Sequence, residues 1–274
     1  VRALFRFNPA FKFRANILRQ YVNMKLSFTT LDVFTNTRYM GNPVAIIEVP
    51  AGISPPLNQA QKQSIAIEFN LSEIVFLHLP IPGDSTTSRN IDIFTSIAEV
   101  PFAGHPTIGA SQYLLNLTQQ NVTEVVTKAG PIPIVLNAKT GVAKVEVPFN
   151  FHIHKVTFAC PLTPGISHPV ARIVNGMSFI YVELSSLEAL AKSAAIKNLH
   201  PETYDPSALD AGWRNGIITT MYFVAQGVDE FGVKNYRTRI FGSREDPGTG
   251  SASSGLGCFF GPERRRGWSV QVCL

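Results

Sequence analysis

A chain of 274 residues, 45% hydrophobic and 16% charged, can bury a sizeable core in one large or two ordinary domains, which excludes a disordered chain. The formal charge of +5 resides in residues 1–23, where Arg2, Arg6, Lys12, Arg14 and Arg19 meet no acid; the neutral remainder argues against a nucleic-acid partner. No apolar run approaches the roughly 20 residues of a membrane span, and three scattered cysteines, Cys160, Cys258 and Cys273, offer neither a disulfide framework nor metal-site spacing, which points to a reducing, cytoplasmic setting.

Residues 1–23 read either as an Arg-rich, acid-free mitochondrial presequence or as an over-extended start ahead of Met24, and the second reading is preferred. A strand is expected over residues 25–34, a turn at Gly41-Asn42-Pro43 and a second strand over 44–49. Residues 57–69 form a helix, with Ile65 and Phe69 on one face, and Asn70-Leu71-Ser72-Glu73 leads from it into an apolar strand over 74–79. Residues 83–90 read as a polar turn and 91–94 as a strand. A helix follows from near Pro106 to about Leu117, then strands over 122–128, 132–136 and 142–147. Residues 149–169 mix Pro-rich and polar signals and are expected to link an N-terminal domain, 24–150, to a C-terminal domain, 151–260. His152 and His154 share one face if they lie on a strand; a metal would need further ligands that the sequence does not reveal, so a structural role is favoured. Strands at 173–174 and 179–184, a helix over 187–196 capped by Ser185-Ser186, and strands over 217–224 and 233–241 complete the second half. Residues 261–274, with Arg264-Arg265-Arg266, continue no pattern and read as an aberrant or truncated tail, which predicts an open sheet edge and reduced stability.

Two stretches carry the chemistry. Residues 99–111, EVPFAGHPTIGAS, and residues 241–255, FGSREDPGTGSASSG, each run from a strand through Pro and Gly into a small-residue helix. Pro101-x-x-Gly104-His105 stands beside Pro247-x-x-Gly250-Ser251, which reads as an internal duplication. Two helix starts then converge on one cleft, and their unpaired N–H groups and dipoles can hold an anion without a basic side chain. Gly248-Thr249-Gly250-Ser251 is no phosphate loop, because residues 241–274 contain no Lys, and no G-x-G-x-x-G opens an early helix. What remains is Glu73, His105 and Asp246 around an anion site, a set suited to proton transfer beside a carboxylate, without metal or cofactor. Position alone favours reading Glu73 as a capping or solvated side chain.

At these residues the chain resembles the PhzF-like phenazine-biosynthesis family, relatives of diaminopimelate epimerase. The matching pieces are Asp32-Val33-Phe34-Thr35 with Gly41-Asn42-Pro43, Asn70-Leu71-Ser72-Glu73, Gly104-His105-Pro106, and Glu245-Asp246-Pro247 with Thr249-Gly250-Ser251, in family order over about residues 24–260. The resemblance implies an α+β, diaminopimelate epimerase-like fold of two pseudo-symmetric domains, each a curled β-sheet around a central helix. It implies isomerase chemistry in which Glu73 shuttles a proton within a ring like dihydro-hydroxyanthranilate. His105, Asp246, Ser72 and Ser251 would surround the substrate, Gly104 and Gly250 would offer N–H groups, and a homodimer is suggested. The epimerase relatives place a cysteine base before the glycine of each loop. Here the matching positions read as Ala103 and Pro247, which excludes a two-thiol racemase.

The expected function is therefore a cofactor-independent isomerase of a small, cyclic or aromatic-like carboxylate. The alternative is a relative that keeps the cleft as a ligand-binding or scaffold protein but has lost catalysis.

Overall fold

The computed structural model describes residues 25–260, apart from residues 147, 148, 231, 233 and 243; the 1–23 extension and the 261–274 tail lie outside the described residues. In the first half, β1 (Phe28–Val33), β2 (Asn42–Val49), β3 (Ile74–His78), β4 (Ser88–Phe94), β6 (Glu124–Thr127), β7 (Gly130–Asn137) and β8 (Val142–Val145) lie in that order in one sheet, and β5 (Glu99–Val100) adds to β4. β2 and β3 are parallel, joined by α1 (Gln59–Phe69) on the outer face. Asn58 and Gln61 start α1 with a reciprocal capping box, worth about 1 kcal/mol. The central helix α2 (Gly104–Gln112) runs on as a π-turn over Tyr113–Leu117. It touches β1, β2 and β3 near one end of the strand order and β7 and β8 at the other, so the sheet curls around it.

The second half repeats this plan. Its sheet runs β14 (Glu245–Asp246), β13 (Lys234–Phe241), β12 (Ile217–Val228), β11 (Met177–Glu183), β10 (Ser167–Val174) and β9 (His152–Ala159). β11 and β12 are parallel and joined by α3 (Leu187–Ile196), as β2 and β3 are by α1. β14 pairs with β13 as the equally short β5 pairs with β4, and each delivers the chain to a central helix, here α4 (Gly250–Phe260) on β10 and β11. The inner core joins Val44, Phe102 and Leu114 of the first half to Phe179, Met221 and Leu256 of the second. Separate apolar clusters lie under α1 and α3. Burying one such large side chain contributes on the order of 1.5–3 kcal/mol.

The expected linker at 149–169 is corrected: most of it is β9 and the start of β10. Its prolines misled because Pro161 and Pro164 sit in the connecting turn, where Thr163 N–H bonds Cys160 O at 3.0 Å. Pro169 falls where the β9–β10 register shifts, a place an internal strand tolerates proline. The polar turn at 83–90 is shorter than expected, since β4 begins at Ser88, and α2 begins at Gly104 rather than near Pro106. Among the described residues no helix is long and apolar enough to cross a membrane.

Candidate active site

Asn70 ends α1 in the left-handed conformation, φ 51°, with its N–H on Ala66 O at 3.2 Å. Asn tolerates that conformation better than most residues. The turn drops Ser72 and Glu73 into a cleft between the halves, just ahead of β3. The cleft, about 570 Å³ with its open mouth, is lined on one side by Ser72, Glu73, Ala103, Gly104 and His105. The other side is Asp246, Gly248, Thr249 and Ser251, with Met177, Phe179, Ile217 and Ile240 as apolar walls. The two central helices begin here almost in contact: a Cβ placed on Gly104 would lie 3.7 Å from Gly250 Cα. Ala103 offers no side chain to cap α2, so its first N–H groups stay open to a ligand. His105 and Ser251 are each the second residue of their helix, and both are buried.

Glu73 Oε2 lies 3.5 Å from His105 Nδ1. Burial, reinforced by the nearby Asp246 carboxylate, pushes the Glu73 carboxyl up to about 8. Burial also pulls His105 below the ordinary imidazole range, with Asp246 opposing, so its neutral form dominates near pH 7. Asp246 is the best-anchored member. Its Oδ1 accepts Asn42 Nδ2 at 3.1 Å and Gly248 N–H at 3.1 Å, and its Oδ2 accepts the Thr249 hydroxyl. By contrast, among the described residues, Ser72 Oγ, Glu73 Oε2, His105 Nε2 and Ser251 Oγ are buried without a well-formed hydrogen bond, Ser72 standing near enough to Glu73 only to oppose the rise in its proton affinity. Buried polar atoms are seldom left so, and four converging on one cleft are the mark of a ligand's place.

Every residue expected from the sequence is brought to this cleft, although Gly250 abuts the site rather than lining it. One equivalence is corrected. Because α4 begins at Gly250 as α2 begins at Gly104, the residue matching Ala103 is Thr249, not Pro247; neither carries a thiol. Sequence reading missed three contributors. Arg244 lines the mouth and donates to Asn70 O across the halves. Tyr204 lines it too, its hydroxyl 2.8 Å from Thr95 Oγ1. Asn42 reaches Asp246 from β2. Arg244 adjoins the Glu245-Asp246 motif and was within reach; Tyr204 carries no local signal. Among the described residues two groups have donor atoms close enough to hold a metal: Glu73, His105 and Asp246, and, away from the cleft, His152, His154 and Asp210.

Residues 31–272 match the sequence pattern of the phenazine biosynthesis-like protein family, PhzC-PhzF. The chain belongs to this family. An uncharacterized isomerase of Pasteurella multocida is 34% identical over 244 residues, covering 84% of this chain and 76% of that protein. A trans-2,3-dihydro-3-hydroxyanthranilate isomerase of Pseudomonas fluorescens is 30% identical over 241 residues, covering 84% and 78%. The crystal structure of a PhzF-family phenazine biosynthesis protein from Bacillus anthracis aligns with a TM-score of 0.59 at 22% identity, over 87% of this chain and 81% of that one. The fold is thus the diaminopimelate epimerase-like one, and the family and its relatives indicate an isomerase or epimerase of the PhzF type.

Proposed function

We propose that this PhzF-family chain is a cofactor-independent isomerase that moves a proton between two carbons of a small, cyclic or aromatic-like carboxylate, with Glu73 taking and returning it. The observation that carries the reading is the set of four unpartnered polar atoms, on Ser72, Glu73, His105 and Ser251, gathered where two helix starts abut. The substrate carboxylate rests against the N–H groups of α2 and α4, whose dipoles favour negative charge. Glu73, raised toward neutrality, is ionised often enough to remove a C–H proton and basic enough to hold it. The C–H electron pair delocalises toward the carboxylate, where the helix dipoles stabilise it. Glu73 then protonates the second carbon and is restored. Neutral His105, its Nδ1 3.5 Å from Glu73 Oε2, borders the carboxyl without charging its surroundings. Asp246, with both oxygens engaged, acts as a positioning residue: it holds the loop and sustains the raised proton affinity of Glu73.

A metal at Glu73, His105 and Asp246 would compete with the proton favoured on Glu73 and would find three of the lone-pair sites of Asp246 already taken, which favours metal-independent chemistry. The test is turnover in D₂O, with trans-2,3-dihydro-3-hydroxyanthranilate, named for the Pseudomonas relative, leading a panel of cyclic carboxylates. The parent should incorporate solvent deuterium and be indifferent to EDTA. Glu73→Gln should keep ligand affinity and lose incorporation by about 10²–10⁴-fold. Unchanged incorporation in Glu73→Gln would remove the assignment. Binding without exchange in the parent would make the chain a ligand-binding relative instead.

A further inference from the structure

Away from the cleft, the second sheet carries a cluster that the proton-transfer reading leaves unused. β9 places His152 and His154 on one face, and their rings lie 4.7 Å apart. The fold brings Asp210 to them from the loop ahead of β12: its Oδ2 is 2.9 Å from His152 Nε2 and 3.9 Å from His154 Nδ1. This is the third ligand that the local sequence does not show. We propose that His152, His154 and Asp210 form a site for a divalent transition metal of the zinc class, which clips β9 to the 210–216 loop.

Three observations carry it. First, the donor atoms already lie within 4.8 Å of one another, near the roughly 3.4 Å edge of a tetrahedron with ligands about 2.1 Å from zinc. Second, the His154 side chain is fully buried and neither of its ring nitrogens has a hydrogen-bond partner among the described residues, although Nδ1 faces Asp210. Leaving such groups unpaired is costly, and a metal on Nδ1 relieves that cost for one of the two atoms. Third, the ligands are held from behind. Trp213 stacks on His152 at 4.2 Å and 5°, and Lys155 N–H donates to both Asp210 oxygens at 3.2 and 3.3 Å. Such supports orient metal ligands. Asp210 keeps a partly exposed side chain, so a metal can enter from solvent and complete its coordination with water.

The donor set selects the metal. Two imidazoles and one carboxylate suit zinc, cobalt or nickel, whereas calcium and magnesium need more oxygen ligands. Arg172, its guanidinium 4.6 Å from the Trp213 ring, adds positive charge nearby and further disfavours a cation held by charge alone.

The experiment uses the purified chain after EDTA dialysis, titrated with Co²⁺ and followed by its visible d–d absorption, with Zn²⁺ as competitor. One Co²⁺ per chain should bind, be displaced by Zn²⁺, and persist in Glu73→Gln, which disables the other metal-capable cluster. Asp210→Asn, at a solvent-facing position, and His154→Asn should each weaken binding tenfold or more. Zn²⁺ should raise the melting temperature of the parent but not of Asp210→Asn. Absence of binding in millimolar Co²⁺, binding unchanged in Asp210→Asn, or binding lost in Glu73→Gln would each overturn the site and leave His152–Asp210 as a simple ion pair.

Discussion

Glu73 owes its chemistry to where its carboxyl is kept. Burial and the Asp246 carboxylate hold its proton affinity above that of an ordinary glutamate, so the folded chain retains a proton that the unfolded chain gives up. The consequence has a definite sign. The contribution of Glu73 to stability is fully present below about pH 4.5 and is lost as pH rises toward about 8, because the folded state then binds the extra proton ever less favourably. Glu73→Gln is nearly isosteric and permanently neutral, so it removes that slope. Denaturant titration should find the variant close to the parent at pH 5 and more stable at pH 8, by on the order of a few kcal/mol. An equal difference at both pH values would mean that Glu73 is already ionised in the folded protein. As the proposed base, Glu73 would be a stability liability at its working pH, an ordinary cost of a tuned site.

At the scale of elements, both central helices approach their sheets so closely that glycine is required five residues after each start. A Cβ on Gly109 of α2 would lie 2.7 Å from Val44 Cγ1, and one on Gly255 of α4 would lie 2.2 Å from the Tyr181 hydroxyl. That hydroxyl is buried and donates to Ala252 O at 2.9 Å. Alanine in a helix interior gains about 1 kcal/mol over glycine, yet here overpacking by about 1–3 kcal/mol should win. Gly255→Ala should therefore destabilise, and Tyr181→Phe should recover part of the loss, since it removes the colliding oxygen while the ring carbon stands off at 3.4 Å. A double-mutant cycle in urea measures the coupling; strict additivity would refute the contact. This close packing was legible in outline. Small residues after Gly104 and Gly250 marked both helices, the four-residue spacing of Ile65 and Phe69 marked α1, and the Asn70-Leu71-Ser72-Glu73 motif marked the turn that aims Glu73. β9 was not legible, because its alternation is broken by polar residues on a partly exposed outer strand and is followed by prolines that belong to a turn and a register shift. Asn42, Tyr204 and Asp210 escaped for another reason: their partners lie far away in sequence, and only the closed sheets bring them together.

The whole molecule makes one site from two halves. Glu73, His105 and the start of α2 come from one sheet, and Asp246, Ser251 and the start of α4 from the other, so the chemistry depends on how the halves are pinned. Asn42 is one such pin. It is buried in β2, and its side-chain amide reaches Asp246, the same carboxylate that raises the proton affinity of Glu73. Asn42→Ala removes one of three donors to Asp246. It should cost about 1–3 kcal/mol of stability and, on the proposed mechanism, lower turnover tenfold or more, with a smaller effect on substrate affinity, because the helix starts proposed to hold the carboxylate remain. Asn42→Asp should be worse than Asn42→Ala in both respects, since it replaces a donor to Asp246 by a second buried carboxylate, which must either repel Asp246 or take up a proton to fold. Steady-state kcat and KM, measured beside unfolding free energy, separate these effects. If Asn42→Ala lost stability without losing kcat, the bond would be a fastening between the halves and nothing more, and the tuning of Glu73 would rest on the burial of its own half alone.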